Sequence, residues 1–318
     1  MNMKKLLYIF FLACTAAACS KSEQPVGGGY PADGVVRISP TVAAPLTRAE
    51  EGAEFSGSRL SLGLYYGDND KYSKTALWKK DADGKWISSS QLLWKNAEDE
   101  VVVYAYVPDG SSSDYNRGYI AVSEGIPSDQ SAGLKDADWL WYSVKIKPGE
   151  ALGADGKLNV QMNHALLKLT VNLSFGNEFG DTAPEIKEVW LNGTMQKVFV
   201  YYKYEYRGQF AIPTTQLPMD IKMHKAADNR YEAIFYPSTG QKAGEKMLTV
   251  VLKDGREYTL TLVEDLAFEK SSDGNYLGGC AYSMSAQVGK NKIELEGVSI
   301  VGWAKGNSDD SLEVEEKN

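Results

Sequence analysis

The sequence predicts an all-β protein of β-sandwich architecture. Three observations carry this reading. Apolar residues recur at every second position along most of the chain. The alternating runs are separated by short turns rich in Gly, Asp and Pro. No long stretch has the spacing of an amphipathic helix. A chain of 318 residues has room for two ordinary domains. With 43% hydrophobic, 24% charged and 11% aromatic residues the composition is globular, and no low-complexity segment dominates. The formal charge of −8 favours solubility and argues against a nucleic-acid partner, which needs a basic face to displace counterions.

The chain opens with a targeting segment over residues 1–18. Lys4 and Lys5 form a positive n-region, Leu6 to Leu12 an apolar h-region, and Ala16-Ala17-Ala18-Cys19 a small-residue run ending in cysteine. The apolar stretch is too short to span a bilayer. Small residues directly before a cysteine resemble the lipobox at which signal peptidase II cuts, which makes Cys19 the candidate lipidated residue. An A-x-A site is also present, so a conventional cut after Ala18 is the alternative; Cys14 has too few apolar residues before it. With the leader gone and Cys19 acylated, Cys280 has no partner for a disulfide and is expected to be a buried thiol. Ser20 to Gly29 is polar and glycine-rich, a tether placed over residues 19–34.

The strands follow in order. Over residues 35–47 Val36, Ile38, Pro40, Val42, Ala44 and Leu46 share one phase, and Arg37, Ser39, Thr41 and Thr47 take the other. Pro40 and Pro45 lack a donor and are tolerated on edges or at bulges, so this is an expected edge strand that could be replaced. Further strands are expected at Leu60 to Tyr66, Val101 to Val107 and Trp139 to Ile146, with a hairpin turning at Asp83-Gly84 between Trp78 and Trp86. The glycine-rich run KPGEALGADGK, Lys147 to Lys157, separates two groups of strands. A domain boundary near 157 divides the chain into 35–157 and 158–318. Beyond it Ala165, Leu167, Leu169, Val171, Leu173 and Phe175 form one apolar face, with Lys168, Thr170, Asn172 and Ser174 on the other. Strands at Val198 to Tyr206 and Ala233 to Tyr236 follow, then LTVVLKDGREYTLTLV from Leu248, a hairpin about Asp254-Gly255.

Nothing in the sequence marks an active site. His164 and His224 stand apart without a metal-binding companion, so no metal or other cofactor is expected. No G-x-S-x-G elbow or phosphate-binding glycine loop is present. YLGGCAYSM gives Cys280 no positive neighbour that would activate a thiol. Asp81-Ala82-Asp83-Gly84 begins like a calcium loop, but Leu92 stands where a bidentate glutamate belongs, and a hairpin turn explains it better. The aromatic run Val198 to Tyr206 and the tryptophans could stack on sugars, although aromatic residues favour strands in any case.

Taken together, the small residues before Cys19, TRAEEGAEFSGSRLSLGLYY from Thr47, VVVYAYVPDG from Val101, MNHALLKLTVNLSF from Met162 and YLGGCAYSMSAQVGKNKIELEGVSIVGW from Tyr276 resemble the fimbrillin family. These are the lipoprotein-derived pilins of type V pili on Gram-negative anaerobes. The resemblance implies two tandem β-sandwich domains, of Greek-key or transthyretin-like type, and a structural, non-enzymatic role in adhesive surface fimbriae. It implies an outer-membrane precursor held through lipidated Cys19, then an arginine-specific trypsin-like protease cutting after Arg48 to leave Ala49 as the first residue.

Removing a strand that carries Val36, Ile38, Val42, Ala44 and Leu46 would uncover apolar pockets and unpaired backbone groups. Each fully buried aliphatic side chain is worth about 1.5–3 kcal/mol, so another pilin subunit's strand would refill them by β-strand addition. The family's donor is C-terminal; here the candidate lies within 293–315 and carries Ile293, Leu295, Val298, Ile300 and Trp303, with a bulge expected where Gly297 shifts the phase. A tip or anchor subunit, or a surface lipoprotein that binds glycans through Trp139 or Trp141, are the alternatives.

Overall fold

A computed structural model describes residues 29–42, 53–107, 120–180, 182–195, 197–203, 206–211, 218–236, 241–266, 268 and 278–301. Within them the strands are β1 (Ile38–Val42), β2 (Ala53–Glu54), β3 (Arg59–Tyr65), β4 (Lys74–Lys80), β5 (Trp86–Ser88), β6 (Val101–Val107), β7 (Ile120–Gly125), β8 (Leu140–Ile146), β9 (Leu158–His164) and β10 (Leu167–Phe175). They continue with β11 (Ile186–Met195), β12 (Lys197–Lys203), β13 (Tyr206–Ala211), β14 (Pro218–Lys222), β15 (His224–Ala227), β16 (Arg230–Phe235), β17 (Lys246–Leu252), β18 (Glu257–Thr261), β19 (Ala281–Val288) and β20 (Ile293–Val301). The helical content of these residues is one turn at Pro148–Ala151 and a 3-10 turn at Asn177–Phe179. The protein is therefore mostly β, built from several sheets.

The first sheet runs β2-β1-β9-β8-β6-β3-β4-β5. It is hinged at one corner, because β8 meets β9 only at Leu140↔His164 and Trp141↔Asn163, while the rest of β9 pairs with β1. The two arms close over a shared core. β1 and the residues before it give Val36 and Ile38, β9 gives Leu158, Val160 and Met162, and β3 and β6 give Leu60, Leu62, Val101 and Val103. The division expected near residue 157 does not coincide with a change of sheet, since β9 completes this sheet and this core. The passage to the second core falls at Ala165–Leu166. On β6 every second residue turns the other way: Val102, Tyr104 and Tyr106 pack into that second core. Tyr104 lies opposite Gly63, where a Cβ would stand 2.3 Å from the ring, so the glycine makes the space the ring occupies.

The second core lies between a five-stranded sheet, β15-β16-β10-β19-β20, and a four-stranded one, β14-β11-β17-β18. Leu167, Leu169, Val171 and Leu173 of β10 face Val189 and Leu191 of β11 and Leu248, Val250 and Leu252 of β17 across it, the alternation read from sequence. Both expected hairpins form, β4–β5 about Gly84 and β17–β18 about Gly255, each glycine at positive φ. Asp81 shapes the first turn by accepting from the Asp83 and Lys85 N–H groups, as a turn residue does. A three-stranded sheet, β13-β12-β7, joins a strand from before the second core to two from within it. Gln130 adds another link: its amide donates to the Ile234 carbonyl at 2.7 Å and accepts from the Ile234 N–H at 2.9 Å, fully buried.

The face of β10 read as polar is buried at Lys168 and Thr170 and half-buried at Asn172 and Ser174. Lys168 and Glu232 form an ion pair at 3.0 Å beneath the surface, and Arg230 reaches the same carboxylate at 2.8 Å. Burial pushes the Glu232 carboxyl up, but Lys168 and Arg230 outweigh it and hold the group below its ordinary range.

Candidate interaction groove around the first strand

The segment from Gly34 to Val42 is held on both flanks. On one side the Val36 N–H donates to the Leu92 carbonyl at 3.0 Å, and the Gly34 carbonyl accepts from the Trp94 N–H at 2.8 Å. On the other the Arg37 carbonyl accepts from the Leu158 N–H at 2.9 Å, and β1 then runs parallel to β9 from Ile38↔Leu158 to Val42↔Met162. In this register the odd-numbered residues turn their backbone groups to β9 and the even-numbered ones away. Pro40 is even-numbered, so its missing donor falls on the side that β9 does not use. Among the described residues that side is covered by β2, which pairs at Thr41↔Glu54 and Val42↔Ala53, and by the Phe55 N–H, which donates to the Pro40 carbonyl at 3.5 Å. β1 is thus one strand in from the edge, rather than the edge strand expected, with two residues of β2 outside it.

Side chains alternate as the pattern required. Val36 is 3% exposed, Ile38 5%, and Pro40 is buried, whereas Ser39 is exposed. Val42 is half-buried against the same core. Arg37 lies outside, and its guanidinium bridges to Asp33 at 2.6 Å; that hydrogen bond brings the Asp33 carboxyl down to about 2. Cys19, Ala44, Leu46, Arg48 and Ala49 lie outside the described residues, as does Trp303. Residues 43–52, which carry Arg48, connect β1 to β2. The tether expected over 19–34 ends sooner than read, because Gly29 and Tyr30 already pack on the fold.

At the other end of the chain β20 is the outer strand of the five-stranded sheet. Its pairing with β19 slips between Leu295↔Ala286 and Gly297↔Ser285, leaving Glu296 as the extra residue of a bulge. Before the bulge Ile293 is buried and Leu295 packs on the second core; after it Val298 is 38% and Ile300 53% exposed. The change of phase seen in the sequence is therefore a change from core to surface.

The other candidates resolve into structure. Trp139 and Trp141 are buried in the second core, and Trp78 and Trp94 in the first, so none of these four offers a face to a sugar. His164 Nδ1 lies 2.7 Å from Asp138 Oδ1, and His224 Nδ1 lies 3.0 Å from the Ser131 carbonyl. Cys280 is half-buried rather than fully so. Among the described residues no three His, Cys, Asp or Glu side chains gather at metal-ligand spacing. Sequence reasoning missed two parts of the groove: β9 as the parallel partner, and the anchoring of Gly29 and Tyr30.

The geometry is that of a mostly β, multi-sheet chain whose first strand helps to close the core of its first half. Residues 47–303 match the fimbrillin-like family, to which the chain belongs. It resembles in fold a candidate cell adhesion protein from Bacteroides uniformis, with 16% identity and a TM-score of 0.60 over 86% of this chain and 100% of that one. A second candidate cell adhesion protein, from Bacteroides ovatus, gives 14% identity and 0.58 over 87% and 100%. The tip fimbrial protein Mfa3 of Porphyromonas gingivalis, truncated at its C-terminus, gives 12% identity and 0.47 over 84% and 99%. No curated protein sequence matches. The chain is thus a member of a fimbrial, structural and non-enzymatic family, and membership implies association with other fimbrial subunits at the cell surface.

Proposed function

We propose that the chain is the precursor of a structural pilin that polymerises by protease-triggered donor-strand exchange. The observation that carries the reading is the segment that ends in β1: it fills the first core with Val36 and Ile38, while the strand hydrogen bonds of β1 run to β9, to the two residues of β2 and to the adjoining Phe55. Burying Val36 and Ile38 alone is worth about 3–6 kcal/mol. A cut after Arg48 separates β1 from β2, and the loss of β1 leaves that core open along β9. A strand of another subunit restores both the ladder and the side chains. The family match begins at Thr47, after β1, which suits a strand discarded from the mature subunit. On this reading signal peptidase II cuts before Cys19, the lipid holds the precursor at the outer membrane, and the arginine-specific protease releases the subunit as Ala49 onward. The two cores are those of two tandem β-sandwich domains of Greek-key or transthyretin-like type, the first reaching through β9 and the second starting at β10.

The donor segment follows from β20. Ile293 and Leu295 serve their own core, so the residues given to a neighbour begin at Val298 and Ile300 and run on toward Trp303. Low-dose trypsin on the purified precursor tests the mechanism: a stable product beginning at Ala49, forming ladders that resist mild SDS, is expected. Polymers that form equally from an Arg48→Ala chain under the same treatment contradict it.

A further inference from the structure

The chain upstream of β1 is also fitted to the fold. The Gly29 N–H donates to the Gly153 carbonyl at 3.2 Å, and a Cβ there would stand 2.6 Å from the carbonyl oxygens of both Gly153 and Ala154. A turn closed by the Gly34 N–H on the Pro31 carbonyl at 2.9 Å then folds Tyr30 back. Its hydroxyl comes to lie 3.8 Å from where a Gly34 Cβ would be, and its ring packs on the first core, on which Tyr66 also packs. Tyr66 is fixed in turn. Its hydroxyl accepts from the Lys95 N–H at 3.0 Å, its ring meets Tyr72 edge-on at 6.3 Å, and the Lys95 ammonium stands 5.8 Å from its centroid. Asp70 and Asp99 hold that ammonium at 3.3 and 3.1 Å. Burial pushes the Tyr66 phenol up to about 12.

We propose that this is a second, aromatic subsite of the groove, filled by Tyr30 in the precursor and by an aromatic side chain of the strand that replaces β1. The inference rests on the strand-replacement reading above. The Val36 and Ile38 pockets accept any strand with aliphatic residues at alternate positions, so by themselves they discriminate poorly between donors. A ring buries far more surface than a methyl group and has preferred geometries against its neighbours. A strand that lacks one leaves the part of the first core that Tyr30 packs on facing water. The partner that fits is an extended segment with alternating aliphatic residues and a Phe, Tyr or Trp near one end.

The test places an orthogonal protease sequence within residues 43–52 of the full-length precursor, so that cutting does not depend on Arg48. The cut protein is then challenged with fluorescent peptides spanning Gly29 to Thr47, and their dissociation is timed. The wild-type and Tyr30→Phe peptides are expected to enter and leave at similar rates, and the Tyr30→Ala peptide to leave at least about tenfold faster. Because only the peptide varies, misfolding of a variant protein cannot imitate the result. A Tyr30→Ala peptide that stays as long as wild type overturns the aromatic subsite and leaves strand replacement standing. If no peptide enters the cut protein, both fall together.

Discussion

Ile38 tests how far β1 supports the fold. Its side chain is 5% exposed and shares the first core with Leu158 and Val160 of β9 and Leu62 of β3. Ile38→Ala removes three carbons, about 2.4 kcal/mol at 0.8 kcal/mol per buried CH₂, and the incompletely filled cavity brings the expected cost to about 3–4 kcal/mol. That is a large part of the stability of an ordinary domain, about 5–15 kcal/mol. Urea unfolding followed by tryptophan fluorescence measures it, since Trp78 and Trp94 belong to this core. Ser39→Ala, one residue away and exposed, is expected to change stability by no more than about 0.5 kcal/mol. A cost at Ile38 below about 1 kcal/mol, or equal to that at Ser39, would mean that β1 does not seal this core, and the case for a vacated groove would go with it.

Three further outcomes follow from the geometry. Ser39→Pro deletes a donor aimed at β9 and is expected to cost about 1–3 kcal/mol, whereas Ser39→Ala keeps that donor and is near neutral; equal effects in thermal unfolding would refute the register. Gln130→Ala strips both partners from the buried Ile234 backbone, at about 1–3 kcal/mol per group left unpaired, and a cost under about 1 kcal/mol would show that water replaces the amide. Glu232 titrates below its ordinary value of 4.5 in the folded chain, so its contribution is complete above that value and is lost as pH falls through the depressed one. Glu232→Gln is expected to flatten stability against pH in that acid range, and Lys168→Met to cost about 3 kcal/mol at neutral pH. An unchanged acid limb in Glu232→Gln would remove the pair from the cause of acid unfolding.

Much of the fold is readable residue by residue because strands obey local rules. The alternation at Leu167, Leu169, Val171 and Leu173, the Asp-Gly turns at 83–84 and 254–255, and the change of phase at Gly297 each depend on neighbours a few positions away. The phase of Val36, Ile38 and Pro40 was legible for the same reason. What the sequence hides is non-local. A parallel partner such as β9 has no turn to announce it, and β7 pairs with β12 although β8, β9, β10 and β11 lie between them in the chain. Lys168 reads as part of a polar face because its burial depends on Glu232 and Arg230, which lie far along the chain, and not on its own strand. Tyr30 was hidden by composition: Gly27-Gly28-Gly29 looks like slack chain, whereas at Gly29 the missing side chain is what lets the backbone approach Gly153 and Ala154.

The replacement of β1 is tested most directly by the first residue of the subunit recovered from surface fimbriae. Terminal sequencing or intact-mass analysis of that material is expected to give Ala49, with the segment carrying Val36, Ile38 and Pro40 absent from the polymer. A subunit that begins at Cys19, or that keeps β1 within the assembled fimbria, contradicts the mechanism.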